Sequence, residues 1–167
     1  MSSQSPIFPA SLLSSDAVAA LPEGFGIRPL EKGDYAKGFL ECLRDLTWMA
    51  NVTEQEFNER YGEMDTGGKG PYYYLVIEHE GKINTKTSIQ NRTTVGHIEE
   101  ICISKDHQGK RLGFYMLGAL NSVARNVGCR KTILNCSQHN IPFYEKCGFT
   151  LCGTEMETVF EEQGKEN

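Results

Sequence analysis

No stretch of this chain is apolar for the roughly 18–20 residues that a bilayer-spanning helix needs, which excludes a helical transmembrane span at the sequence level. The first residues also lack a basic region followed by a long apolar run, so no secretory leader is expected. Positive charge is scarce: 17 Lys and Arg face 22 Asp and Glu, a net charge of −5. That balance argues against nucleic acid or an anionic membrane as the main partner, since both favour a basic face. A polyanionic small ligand stays open, because it needs only a local cluster of donors. None of the six cysteines forms a C-x-x-C pair, which removes the usual zinc spacing, and no metal site is expected. Disulfides need an oxidising compartment, and most of these cysteines sit beside apolar residues. Reduced thiols in a cytoplasmic protein are the expectation.

What remains is ordinary for a globular domain: 167 residues, 39% hydrophobic and 23% charged. No internal repeat is evident. Residues 1–22, rich in Ser, Pro and Ala, read as a mobile or loosely docked tail, residues 23–160 as one domain and 161–167 as a charged tail. Phe25 to Pro29 reads as a first strand. Asp34 is placed to cap a helix reaching Leu46, with Phe39, Leu43 and Leu46 on one face. Thr53-Glu54-Gln55-Glu56 has capping-box spacing for a second helix. Tyr72 to Glu78 is strand-like, rich in aromatic and β-branched residues. Lys82 to Thr94 is so polar that it reads either as an edge strand with a turn or as a loop. The pattern then strengthens: a strand His97 to Ser104, a loop Lys105 to Gly113, a helix Phe114 to Val127 stopped by Gly128, and a strand Lys131 to Cys136. Asn140 is placed to cap a short helix with Pro142 near its start and Gly148 beyond its end, and Phe149 to Phe160 reads as a last strand. Strand, loop, helix, strand, helix and strand on a mixed sheet make an α/β arrangement.

The chemistry concentrates in Gln108-Gly109-Lys110-Arg111-Leu112-Gly113, which follows a strand and opens a helix. Glycines admit a ligand close to the backbone, and the first-turn N–H groups with the helix dipole attract anions. Lys110 and Arg111 add charge, which suits a pyrophosphate; the plainer reading is a basic turn at a helix start. A nucleoside-triphosphate P-loop would end in Gly-Lys-Ser/Thr, which is absent.

The loop resembles the acetyl-CoA signature of the GNAT superfamily, [RQ]-x-x-G-x-[GA], with Gln108 and Gly113 in the outer places and Arg111 where glycine is preferred. Asn140-Ile141-Pro142-Phe143-Tyr144-Glu145-Lys146-Cys147-Gly148-Phe149 is similar to a second signature of that superfamily. Gly96-His97-Ile98-Glu99-Glu100-Ile101 and Gly128-Cys129-Arg130-Lys131-Thr132-Ile133-Leu134 narrow the likeness to the eukaryotic glucosamine-6-phosphate N-acetyltransferase family. The resemblance implies a GNAT fold: a central mixed, twisted sheet flanked by helices and splayed at the acetyl-CoA-binding strand. It implies acetyl-CoA as acetyl donor, an amino-sugar phosphate as acceptor, a role in UDP-N-acetylglucosamine synthesis and a homodimer. Ile101, Cys102 and Ile103 would pair with the pantetheine arm. Gln108, Gly109, Lys110, Arg111, Leu112, Gly113 and Phe114 would hold the pyrophosphate, with Asn140 and Tyr144 completing the cofactor site. Thr47, Glu99, Glu100, Arg130 and Lys131 would lie at the acceptor, and Glu99, Asn135 and Tyr144 at the reacting centre.

Residue chemistry agrees with those roles. An amine must lose a proton to attack, which calls for a carboxylate within reach, and a tyrosine hydroxyl can protonate the departing thiolate. Neighbouring strand residues point to opposite faces, so only one of Glu99 and Glu100 faces the acceptor unless a bulge redirects the other. Outside catalysis, the pair would be a solvated strand end, Tyr144 a packed helix aromatic (a role expected of Phe143 instead), and Lys131 a surface residue at a strand entrance. The chain departs from the family in three places. Asn135 stands in Ile133-Leu134-Asn135-Cys136 where the family has a carboxylate, Trp48-Met49-Ala50-Asn51 replaces small residues, and the segment before Gly96 is polar and short. These departures motivate two alternatives: transfer to a different amine, and an acetyl-CoA-binding paralogue with weakened catalysis.

Overall fold

Apolar residues early in the chain settle what its N-terminal stretch does. In the computed structural model, which describes residues 5–44, 51–92, 95–156 and 158, Ile7 and Phe8 are fully buried. The Ile7 N–H donates to the Leu30 carbonyl at 2.9 Å, and the Phe8 ring meets Tyr73 edge-on at 5.3 Å. A short helix α1 (Ser15–Ala19) follows, its first turn closed by the Ser14 hydroxyl. Within the stretch expected as a mobile or loosely docked tail, Ile7, Phe8 and Leu13 are thus core residues. Adjacent apolar side chains outweigh the Ser- and Pro-rich residues around them.

Strand β1 (Phe25–Pro29) ends in a turn that differs from the expected long helix. Asp34 is not a helix N-cap; it lies inside a 3-10 helix, Lys32–Lys37, and its side chain turns back to Arg28 and the Glu31 N–H. Gly38 then takes a φ of +90°, which breaks the helical path before α2 (Phe39–Arg44) begins. Leu46 lies outside the described residues. The capping box at Thr53 is present: Thr53 N–H donates to the Glu56 carboxylate at 2.7 Å, and α3 (Glu54–Met64) buries Phe57, Tyr61 and Met64 along one stripe.

The sheet runs in sequence order, β1, β2 (Tyr72–His79), β3 (Lys82–Arg92), β4 (Val95–Ile103) and β5 (Lys131–Leu134). The first four are antiparallel neighbours, and β5 joins β4 in parallel after the crossover helix α4 (Leu112–Asn126). The segment expected as an edge strand or loop is thus the central strand, paired on both sides. Its polarity hid this: Asn84, Thr85, Lys86 and Thr87 are all buried. Lys86 fits because its stem lies in the core and its ammonium sits 4.5 Å from the centre of the Phe39 ring. The arrangement has a cost, since Asn84 Oδ1 and Thr85 Oγ1 are buried without a hydrogen-bond partner. Helix α2 covers the face bearing Lys86 and Cys102, while α4 packs its Leu112, Met116, Leu117, Leu120, Val123 and Ala124 on the opposite face.

The chain divides into two compact units, Met1–Leu134 and Asn135–Asn167. The second holds α5 (Ile141–Lys146), with Pro142 in its first turn and Gly148 at φ +87° beyond its end. Asn140 occupies the N-cap position, but its side chain makes no capping bond. Residues 149–156 form no strand, contrary to the reading of Phe149 to Phe160. A strand needs a ladder, and none of the described strands pairs with this segment.

Candidate active site

The register between β3 and β4 contains the feature that shapes the site. Lys86 pairs with Cys102 and Ser88 with Glu99, so Glu100 and Ile101 together oppose the single residue Thr87. That is a β-bulge on β4. The buried Thr87 hydroxyl donates to the Glu99 carbonyl at 3.0 Å, holding the bulge from the β3 side. On the other side, β5 pairs only with Val95 to Ile98. Among the described strands, β5 therefore stops short of Glu99 to Ile103. A strand that runs on past its neighbour suits an amide-bearing arm laid beside it as an added strand.

That strand leads on into the glycine loop. Ser104 starts a short 3-10 turn, Lys105–His107, and its hydroxyl lies 3.1 Å from His107 Nδ1. The Gln108 side chain donates back to the Ile103 carbonyl at 3.4 Å. Gly109 has a φ of +79° and open space where a Cβ would be, which leaves its backbone accessible. Arg111 has a φ of +61° at the N-cap of α4 and makes no side-chain capping bond. It occupies the left-handed conformation for which the GNAT pattern prefers glycine. Lys110 and Arg111 are exposed, each resting on an aromatic ring, Phe25 at 5.6 Å and Phe114 at 5.3 Å. Leu112 and Gly113 are buried and anchor the helix start. An accessible glycine backbone, a helix N-terminus and two cations are features that attract anions. Behind the loop, Phe25, His79 and His107 cluster, with the Phe25 and His79 rings stacked at 4.5 Å. Burial, with Lys110 and His79 nearby, pushes His107 below the usual histidine range.

The acceptor-side residues are placed unevenly. Glu99 is partly exposed, and its carboxylate lies 3.3 Å from His97 Nδ1. Glu100 follows it at the bulge. Lys131 is exposed at the start of β5, beside Val95 of β4, and Arg130 precedes it, also exposed. Thr47 lies outside the described residues. In the second unit, the Asn135 amide donates to the Glu155 carboxylate at 2.5 Å. Tyr144 is half-buried with its ring 6.0 Å from Phe149, whereas Phe143, expected to be the packing aromatic, is 39% exposed. Burial first, and then Cys136 and Cys147, push the Tyr144 hydroxyl above its ordinary value, so it stays protonated at neutral pH.

Two features escaped the sequence reading. One is the His97–Glu99 pair, which strand alternation could have suggested because i and i+2 share a face. The other is the thiol pair under α2, where Cys42 Sγ and Cys102 Sγ lie 3.3 Å apart. Its hydrogen bond to Cys102, together with burial, pushes the Cys42 thiol far up, so it is no thiolate. Nothing in the sequence brings residues so distant together.

The acetyltransferase (GNAT) family profile matches residues 38–149. Glucosamine 6-phosphate N-acetyltransferase of Arabidopsis thaliana is 37% identical over 150 residues, covering 84% of this chain and 100% of that protein. The Candida albicans glucosamine 6-phosphate N-acetyltransferase is 36% identical over 143 residues, covering 81% of this chain and 96% of its own. The crystal structure of glucosamine-6-phosphate N-acetyltransferase from Arabidopsis thaliana superposes with a TM-score of 0.77 at 36% identity, over 83% of this chain and 100% of that one. The chain belongs to the GNAT acetyltransferase family and, within it, to the glucosamine 6-phosphate N-acetyltransferases.

Proposed function

We propose that this protein transfers the acetyl group of acetyl-CoA to the 2-amino group of glucosamine 6-phosphate, supplying UDP-N-acetylglucosamine synthesis. The observation that carries the reading is the run of β4 past the end of β5, leading through the short turn Lys105–His107 into Gln108 to Phe114 at the N-terminus of α4. In this reading the backbone of Ile101, Cys102 and Ile103 takes the pantetheine amides. Gln108, Gly109, Lys110, Arg111, Leu112, Gly113 and Phe114 form the cradle of the pyrophosphate, with Asn140 beside the cofactor. The roles proposed for the reaction are Glu99 for the acceptor amine, Asn135 as a hydrogen-bonding residue, and the protonated Tyr144 hydroxyl as donor to the departing thiolate. Glu100, Arg130, Lys131 and Thr47 bind the sugar phosphate, the two basic residues supplying its countercharge. The enzyme works as a homodimer in the cytoplasm; among the described residues no helix is long and apolar enough to cross a membrane.

A thiol-release assay with acetyl-CoA and glucosamine 6-phosphate tests the reaction. Turnover is expected, and none above background at high enzyme concentration overturns the reading. Sedimentation at micromolar concentration tests the dimer. Asn135 supports a second reading, acetyl transfer to another amine or a paralogue with weakened catalysis, because an amide accepts no proton. A panel of amino sugars, polyamines and peptides separates the two, and strict preference for glucosamine 6-phosphate rejects the second.

A further inference from the structure

The bulge on β4 decides which residues share a face. Glu100 and Ile101 count as one step of the pleat, so His97, Glu99 and Cys102 lie on the same side of the sheet. Helix α2 covers that side at Cys102, which is fully buried against Cys42. Further along the strand the Glu99 side chain is 42% and the His97 side chain 27% exposed. The two are held 3.3 Å apart, Nδ1 to Oε1, with the Glu99 backbone fixed from behind by Thr87. A carboxylate on Nδ1 fixes the ring so that Nδ1 carries the proton and Nε2 is left as an acceptor. Among the described residues, the other charged or titratable groups on this face, or on the helix packed against it, include Arg28 of β1, Tyr72, Tyr74 and Glu78 of β2, Lys86 of β3, Cys102 of β4, Lys131 of β5, and Glu41, Cys42 and Arg44 of α2. Glu99 is the carboxylate the geometry places on the imidazole.

We propose that His97, with Glu99 setting its tautomer, is the base that deprotonates the acceptor ammonium; the proposal rests on the acetyl-transfer reading. An imidazole accepts a proton near neutral pH, whereas an ordinary carboxylate does so only in acid. Asn135, which lacks a basic atom, leaves the reaction in need of such a group. The steps balance. The ammonium gives one proton to His97 Nε2, and the freed lone pair on nitrogen forms the C–N bond at the thioester carbon. The C–S bond breaks with its electrons going to sulfur, the nitrogen loses its second proton, the thiolate becomes a thiol, and the imidazolium returns its proton to water. Glu99 is then a positioning residue, and its own protonation is not part of the cycle.

The test compares wild type with H97A, H97Q and E99Q, using calorimetric binding of acetyl-CoA to show that each variant is folded. H97A and H97Q should lose about 10²–10⁴-fold in kcat with the KM for acetyl-CoA unchanged. Added imidazole should restore part of the H97A rate. The acid limb of the pH profile should vanish in H97Q and persist in E99Q. If H97A keeps kcat within about twofold of wild type, or if E99Q alone abolishes the acid limb, the proposal is overturned. Should wild type acetylate no amine, the acetyl-transfer reading fails by itself, and nitrogen-15 NMR still decides the pair. The Nδ1–H tautomer of neutral His97 in wild type, lost in E99Q, is the expected result, and an Nε2–H tautomer in wild type overturns the inference.

Discussion

Arg111 holds a φ of +61° where glycine would rest without strain. A side chain in the left-handed region costs about 1–2 kcal/mol, and the loop accepts this while gaining a cation beside its open N–H groups. Arg111→Gly should therefore raise the stability of the ligand-free protein by about 1 kcal/mol and weaken acetyl-CoA binding several-fold, read by thermal melting and calorimetry on the same samples. Asp34 is the opposite case, a fully buried carboxylate that folding depends on. Burial alone would raise its pKa, but two 2.8 Å bonds from Arg28, the Glu31 N–H and Lys37 outweigh that and hold it below the ordinary range. Because the folded value lies below the unfolded one, this stabilisation is complete above about pH 4 and is lost as pH falls through the folded value. Asp34→Asn should cost about 3 kcal/mol at neutral pH. In urea titrations the gap between wild type and variant should narrow steadily below about pH 4.

Between the elements, the sheet is tightest where β3, β4 and β5 meet. A Cβ on Gly96 would land against the buried Ile89 side chain and 3.4 Å from Thr132 Cγ2. Gly96→Ala should therefore destabilise by about 1–3 kcal/mol, with the midpoint of urea unfolding falling and its slope unchanged. Its neighbour β3 shows why an element can be illegible. Central strands are read from apolar runs, yet Asn84, Thr85, Lys86 and Thr87 fill this one, and Phe39 on α2 is what makes Lys86 tolerable there. By contrast, α3 and α4 declared themselves through a capping box and an apolar stripe, because those signals are local. The last expected strand failed for a related reason. Alternation marks residues able to join a sheet but does not supply the neighbour that completes the ladder.

At the scale of the molecule, a ligand that binds only the folded chain must stabilise it. Acetyl-CoA at a hundredfold its dissociation constant should add about 2.7 kcal/mol, a rise in Tm of about 5–10 °C for a chain of this size. No rise at saturating concentration would count against the anion site at α4. The same experiment with Arg111→Gly ties the residue to the whole, since a smaller rise from a higher starting Tm is expected.

The loop proposed to hold the cofactor could be picked out from sequence because it is contiguous. Gln108 to Gly113 is a strand end, a glycine turn and a helix start, and each of these speaks through neighbours in sequence. By itself the sequence determined that loop, the capping box of α3, the apolar stripe of α4, strands β1 and β2, and the family. Only the tertiary structure decided that the polar segment Lys82–Arg92 is central, that Ile7 and Phe8 are core, and that Asp34 serves Arg28 rather than a helix end. It also decided that a bulge opposite Thr87 sets Cys102 on the face of His97 and Glu99. These outcomes depend on register and on which surfaces meet, quantities fixed by contacts between residues tens of positions apart that no local pattern encodes.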